Sequence, residues 1–241
     1  MANISTDIQV WFLRHGKPLF NYKTDQYEEF MEMLCNGFSK PLVAQPEIDF
    51  KSLPKQVDFV GYSRFRRASE TAKLLENKIS VKHMEEMPSL DEVRFDKDII
   101  SEDEFKSLEQ IRPKILERWY NNENKAESFN DSLARVKEIE SFLSNRSENR
   151  IILITHGWFL RILDLYFVQG NHTPTIADLH NAKRVPLGHS IMAKVPRKRL
   201  IGAQMDLAGN DFLNGSLIMQ TSTLAMQITE ARAHSLAPVI S

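Results

Sequence analysis

Two His-Gly pairs stand out among the residues that could do chemistry. They are Arg14-His15-Gly16, near the start of the chain, and Thr155-His156-Gly157, 141 positions later. A neutral imidazole can attack phosphorus through one ring nitrogen and carry the group as a covalent intermediate. Its other ring N–H must be held by a backbone carbonyl or a carboxylate, which fixes the tautomer. Phosphoryl transfer also needs positive groups around the equatorial oxygens. Arginine supplies them as planar forks that match phosphate, and Arg14 sits beside His15. His156 can donate to the same group, best when protonated. A helix opening at Gly157 would aim free backbone N–H groups there. Such donors are fixed in advance and stabilise spreading charge without rearranging. His15 is therefore expected to be a transiently phosphorylated nucleophile, with Arg14, His156 and Gly157 binding the phosphoryl group.

These residues work only if the fold brings them together. Residues 8–13 and 150–155 are short, apolar and β-branched or aromatic, which predicts buried strands ending at His15 and His156. Further strands are expected at residues 58–62, 80–87 and 190–195. Helical spacing covers residues 63–77, with Ala68, Thr71, Ala72 and Leu75 on one face and Ser63 as N-cap. It returns at 103–120, where Pro113 is expected to kink or restart the helix, and at 128–145 and 158–168. This order predicts an α/β three-layer sandwich, a mostly parallel central sheet flanked by helices. Such sheets place ligands at the carboxyl ends of strands, where both histidines fall. Residues 22–54 read as an insertion or lid-like segment, with a helix around Phe30, Met31, Met33 and Leu34. The domain is expected over residues 1–200. Residues 201–241 form a C-terminal extension, packed on the domain or mobile.

Arg14-His15-Gly16 resembles the first signature of the histidine phosphatase superfamily, the phosphoglycerate mutase-like family. Three more segments match in the expected order. Residues 63–72, Ser-Arg-Phe-Arg-Arg-Ala-Ser-Glu-Thr-Ala, resemble the family's Ser-x-x-x-Arg-Ala-x-x-Thr-Ala segment. Thr155-His156-Gly157, with Arg161 following, resembles its second His-Gly motif. Asn21 stands six residues after the nucleophile, where many members keep an asparagine. The resemblance runs from about Ile8 to Val195 and is poorest over residues 22–54.

The resemblance implies that Arg67 is a second phosphate-binding arginine and Asn21 a substrate contact. Leu90-Asp91-Glu92 is similar to the family's Leu-x-Glu, which implies Glu92 as proton donor to the leaving oxygen. A donor near neutral pH needs a raised pKa, from burial or a nearby phosphate. Asp91 is the alternative donor, because the residues after Glu92 lack the family's usual glycine. The other side chains have plainer roles. Arg64 and Arg66 belong to a small basic run, of which Arg64 could also reach substrate, and Lys17 is a substrate contact or a solvated lysine. Arg161 is expected in a structural ion pair, and Trp11 and Trp158 in the core. His172, His180 and His189 have no metal-ligand spacing.

The implied activity is phosphomonoester hydrolysis through phosphohistidine, on a phosphorylated small molecule, with no metal or organic cofactor. The alternatives are mutase-type phosphoryl transfer, a phosphohistidine or phosphotyrosine phosphatase acting on proteins, and a phosphate-binding regulatory module without turnover. Lys17, where mutases usually have Glu, favours hydrolysis. A shallow pocket would fit a phosphoprotein, and a covered one a small molecule. The formal net charge of −1 gives no global basic field to attract nucleic acid or an acidic membrane. A single cysteine, Cys35, excludes an internal disulfide. Without a signal-peptide pattern or a long apolar run, a cytoplasmic enzyme is expected. The oligomeric state is left open.

Overall fold

The computed structural model describes residues 7–19, 24–37 and 40–197. Asn21 and the extension over residues 201–241 lie outside the described residues. Five strands form the central sheet: β1 (Asp7–Arg14), β3 (Phe59–Tyr62), β5 (Met84–Glu86), β6 (Arg150–Thr155) and β7 (Ser190–Pro196), in the order β5-β3-β6-β1-β7. The pairs β1–β6, β3–β6 and β3–β5 are parallel, and β7 closes the edge antiparallel to β1. A small parallel pair, β2 (Gln56–Val57) with β4 (Ser80–Val81), stands apart. The strand expected over 80–87 is thus two short strands that join different sheets.

Strand alternation divides the core into two layers. Ile8, Val10, Phe12, Phe59, Ile151 and Leu153 face one cluster. There they meet α4 (Phe129–Ser144), through Val136, Ile139 and Leu143, and α5 (Gly157–Leu163), through Phe159 and Leu160. Leu13, Val60, Ile152 and Ile154 point the other way, onto Ala68, Ala72 and Leu75 of α2 (Arg66–Glu76). Period-two strands between helices on both faces give the expected three-layer sandwich. Burying such a side chain is worth about 1.5–3 kcal/mol; β6 is buried on both faces, so a one-residue slip would exchange its two apolar sets between the layers and mispack both.

Local chemistry sets the helix ends. Ser128 caps α4 in a reciprocal capping box with Asp131. Ser107 caps α3 (Leu108–Tyr120) by accepting from Gln110 N–H. Pro113 lies inside α3, which runs on through it, so the helix does not restart there; the ring forgoes a bond to the Glu109 carbonyl. Ser63 is not the N-cap of α2. That helix starts at Arg66 after an uncapped Phe65; the Ser63 hydroxyl accepts from the Phe65 N–H just ahead of it and also bonds Asp91 and His156. The run expected at 158–168 is α5 followed by a π-helical turn over Asp164–Val168. The 22–54 segment contains α1 (Tyr27–Asn36), fixed where Phe30 stacks on Phe105 at 4.8 Å and Tyr27 Oη donates to the Ile100 carbonyl. A short helix, α6 (Ile176–Asn181), precedes the loop into β7.

Candidate active site

The parallel register pairs Arg14 with Thr155, so the next residues, His15 and His156, leave the sheet side by side. His15 N–H donates to the Thr155 carbonyl at 3.0 Å, and the two imidazole centroids are 4.9 Å apart. Both rings are buried. Gly188, at φ +73°, donates its N–H to the carbonyls of Arg14 and His15 at 3.1 Å each. A Cβ there would fall 2.1 Å from the Glu47 carbonyl oxygen, so only glycine fits.

The His15 tautomer is set at both nitrogens. Nδ1 faces the His15 residue's own neighbour, the Gly16 carbonyl, at 2.7 Å. Nε2 accepts from Arg67 Nε–H at 3.0 Å. A carbonyl only accepts and a guanidinium only donates, so the proton is on Nδ1 and the lone pair on Nε2. Burial holds the imidazole pKa well below its ordinary value, helped by the charges of Arg67 and Arg14 and opposed by the Gly16 carbonyl. Gly16 N–H in turn donates to Thr71 Oγ1, which donates to the Arg67 carbonyl. Helix α2 therefore fixes both the His15-Gly16 loop and the arginine beside it.

Arg14 Nη1 donates to the Val185 carbonyl at 2.8 Å. The guanidinium lies across the first residue of α5: a Cβ on Gly157 would come within 2.9 Å of Arg14 Nη2. Arg67 also donates to the Gly37 carbonyl, which ties the end of α1 to the site.

His156 is fully buried, and its hydrogen bonds can be assigned. Ser63 Oγ donates to Asp91 Oδ1 at 2.9 Å, because a carboxylate ion-paired with Arg64 accepts. Having one proton, Ser63 must accept from His156 Nε2–H, 2.8 Å away. His156 Nδ1 is buried without a hydrogen-bond partner. Burial again lowers the pKa well below the ordinary value, with the charges of Arg67, His15 and Arg14 acting the same way.

Glu92 accepts from the backbone N–H groups of Val93, Trp158 and Phe159 at 3.0–3.2 Å. Burial raises its pKa from 4.5, against the pull of Arg67 and of those N–H groups. Glu92 lines the same cavity as His15, Arg14, Arg67 and Gly157, a space of about 590 Å³. Asp91 faces away and is held by Ser63 Oγ and by Arg64 through its backbone N–H and guanidinium.

The structure thus brings together His15, His156, Arg14, Arg67, Gly157 and Glu92. Arg64 pairs with Asp91 and Lys17 is exposed; neither lines the cavity. Arg161 makes no ion pair among the described residues. It is buried, donates to the Leu179 carbonyl, and lines the cavity. Trp158 is half-buried and also lines it, so its role is not confined to the core. Ser63, Asp91 and Gly188 were missed as site-organising residues. Only the Gly188-containing turn had a local signal; the other two are legible only across the fold.

A five-stranded mixed sheet brings two histidines and Arg14 to neighbouring strand ends, where Arg67 meets them from α2. The family model of the histidine phosphatase superfamily (branch 1) matches residues 49–185, more than half of the chain, and the chain belongs to that superfamily. The first motif precedes the matched stretch and joins it through the β1–β6 register. Solved structures share the fold at low identity. A protein of Escherichia coli assigned as an alpha-ribazole-5'-P phosphatase is 18% identical, with 81% of this chain and 99% of that one covered at a TM-score of 0.50. Mycobacterial hydrolase 1 is 15% identical, over 77% and 88%, at 0.52. YhfR of Bacillus stearothermophilus is 16% identical, over 77% and 90%, at 0.51. No curated protein matches the chain. Among the described residues no helix is long and apolar enough to cross a membrane, and no group of three or more His, Cys, Asp or Glu is placed to hold a metal ion.

Proposed function

We infer that the protein hydrolyses a phosphomonoester by way of a phosphohistidine at His15. The observation that carries this reading is the His15 Nε2 lone pair, turned to Arg67 Nε at 3.0 Å in a cavity that Arg14 and Glu92 also line. In the first step Nε2 forms a bond to phosphorus as the ester P–O bond breaks. The departing alkoxide takes the proton of Glu92. In the second, water attacks the phosphohistidine and gives a proton to the Glu92 carboxylate, releasing inorganic phosphate and free His15. Arg14 and Arg67 hold the equatorial oxygens. His156 does not itself line the cavity, but its ring lies 4.9 Å from that of His15; on this reading its unpartnered Nδ1 takes the proton of the phosphate monoanion and donates it back to a phosphoryl oxygen.

The cavity's cover supports a small-molecule substrate over a phosphoprotein. Thr24, Met33, Leu34, Cys35 and Gly37 of the 22–54 segment all line it. The catalytic domain on this reading is residues 1–200, with 22–54 as its roof. The test is to incubate wild type and His15→Ala with a panel of phosphomonoesters and quench in base, which preserves acid-labile phosphohistidine. Wild type should release phosphate and carry label, and His15→Ala should do neither. Activity surviving His15→Ala would sink the mechanism, and transfer to a sugar acid in place of water would make the protein a mutase.

A further inference from the structure

The cavity is larger than a phosphoryl group needs, and its far wall has its own chemistry. At about 590 Å³ it is in the range that holds whole organic ligands. Beyond Arg14 and Arg67 it is lined by apolar side chains, among them Leu34, Phe65, Phe95 and Trp158, and by a second set of arginines. Arg112 comes from α3, Arg161 from α5, and Arg184 from the loop before β7.

These three are close to the phosphoryl end by construction. Trp158 follows Gly157, which Arg14 crosses, and its ring lies 6.0 Å from the Arg112 guanidinium and 5.7 Å from that of Arg161. Arg184 precedes Val185, whose carbonyl holds Arg14. Arg161 is anchored to the Leu179 carbonyl. The side chains of Arg112 and Arg184 make no hydrogen bond or ion pair among the described residues. Both line the same cavity, Arg112 half-buried and Arg184 exposed, and the charge of Arg184 adds to burial in lowering the Arg112 pKa. Arg94, in the same wall, is already paired with Glu127 at 3.9 Å. Two carboxylates line the cavity. Glu92 is held by three backbone N–H groups, and Glu109 is exposed and forms no ion pair among the described residues. Like charges gathered in a partly enclosed wall repel, and an anion between them relieves that repulsion.

We propose that the substrate is a phosphomonoester carrying a second anionic group, a carboxylate or another phosphate, which binds between Arg112 and Arg184 while its apolar or planar body packs on Trp158. This rests on the phosphatase reading for which end of the cavity takes the scissile phosphate, but the second site is tested by binding alone. Matched compounds are used: n-alkyl phosphates, ω-carboxyalkyl phosphates of the same lengths, and alkanediol bisphosphates. Their Kd values are measured by calorimetry on His15→Ala, where no turnover can occur, and on His15→Ala carrying Arg112→Gln and Arg184→Gln. At one chain length, at least one dianionic series should bind about tenfold or more tighter than the plain alkyl phosphate. That preference should fall to within about twofold of unity in the triple variant and shrink with added salt. Comparing the carboxylate and bisphosphate arms identifies the anion. Equal binding of all three series, or a preference that survives loss of both arginines, overturns the proposal. Arg112→Lys with Arg184→Lys keeps the charge and should retain part of the preference, which separates charge recognition from misfolding. Phosphate release by wild type is scored separately, so a failed phosphatase reading leaves this result interpretable.

Discussion

Arg67 Nε–H donates to His15 Nε2 across 3.0 Å, a bond from an always-charged donor to the one ring nitrogen that can attack. The guanidinium therefore selects the nucleophilic tautomer and holds the ring in place. Arriving phosphate would draw the same cation away from the imidazole and free the lone pair. Arg67→Lys keeps the charge and loses the planar fork. It should lower kcat/KM about 10²–10³-fold with little change in Tm. A loss of less than about threefold would show that the fork is dispensable.

Both site histidines are buried neutral, and stability should record it. Their folded-state pKa values lie below the ordinary 6.5. Each contribution is fully present above about pH 6.5 and is lost as pH falls below it toward the folded value, by up to about 1.4 kcal/mol per pH unit per histidine. Glu92 runs the opposite way: its folded pKa is raised, so its contribution is present below about 4.5 and lost as pH rises. His15→Asn removes one of the two histidine terms and leaves Glu92 in place. Urea unfolding from pH 7 to 5 should therefore show a shallower decline in the variant; identical slopes would mean that His15 is not buried neutral.

The raised pKa of Glu92 gives the activity a basic limb. With alkyl phosphates, kcat should fall as pH rises through that pKa, because the proton for the leaving oxygen is lost. Glu92→Gln should slow these esters about 10²–10⁴-fold and abolish the limb. p-Nitrophenyl phosphate, whose leaving group needs no proton, should be slowed far less. Equal slowing of both substrates would remove Glu92 from the acid's role.

Ser63 holds His156 Nε2 at 2.8 Å and does not line the cavity. In Ser63→Ala the buried His156 Nε2–H loses its acceptor, at a cost of about 1–3 kcal/mol. Nitrogen-15 spectra of the imidazole should show the proton redistributed between Nδ1 and Nε2, and kcat should fall about tenfold. A variant with the wild-type tautomer would show that Ser63 is structural only.

Two glycines should respond differently to the same added methyl. In Gly157→Ala the obstacle is the movable guanidinium of Arg14 at 2.9 Å, so KM for phosphoesters should rise several-fold while Tm changes little. In Gly188→Ala the obstacle is the Glu47 backbone at 2.1 Å, with a positive φ as well, so stability should drop by about 2 kcal/mol or more. Thermal melts and kinetics on the pair distinguish the two; equal Tm losses would contradict this reading.

Much of the fold was legible because strands and helices here carry strong local periods. β1, β6 and β7 fell where apolar alternation or continuity predicted them, and the two histidines fell at strand ends. The failures share a cause. Ser63 sits three residues before α2 and its hydroxyl does accept from the Phe65 N–H, but Asp91 and His156, 28 and 93 residues away, take the rest of its hydrogen-bonding capacity and set its place in the site. Arg161 looked like a helix-surface ion-pair former, yet it is buried and its guanidinium donates to the Leu179 carbonyl of α6.

By itself the sequence determined the chemistry available and its address. Arg14, His15 and His156 mark the ends of strands whose burial is written in their own side chains, and the order of elements leaves little choice but a three-layer sheet. Tertiary structure alone decided the protonation pattern. The register of β1 on β6 sets His15 beside His156; packing of α2 then delivers Arg67 to one imidazole, and the end of β3, paired with β6, delivers Ser63 to the other. Which nitrogen holds a proton depends on the partner within 3 Å. At His15 Nε2 and at His156 Nε2 that partner comes from another element, which no local pattern in the chain encodes; only the Gly16 carbonyl on His15 Nδ1 is local.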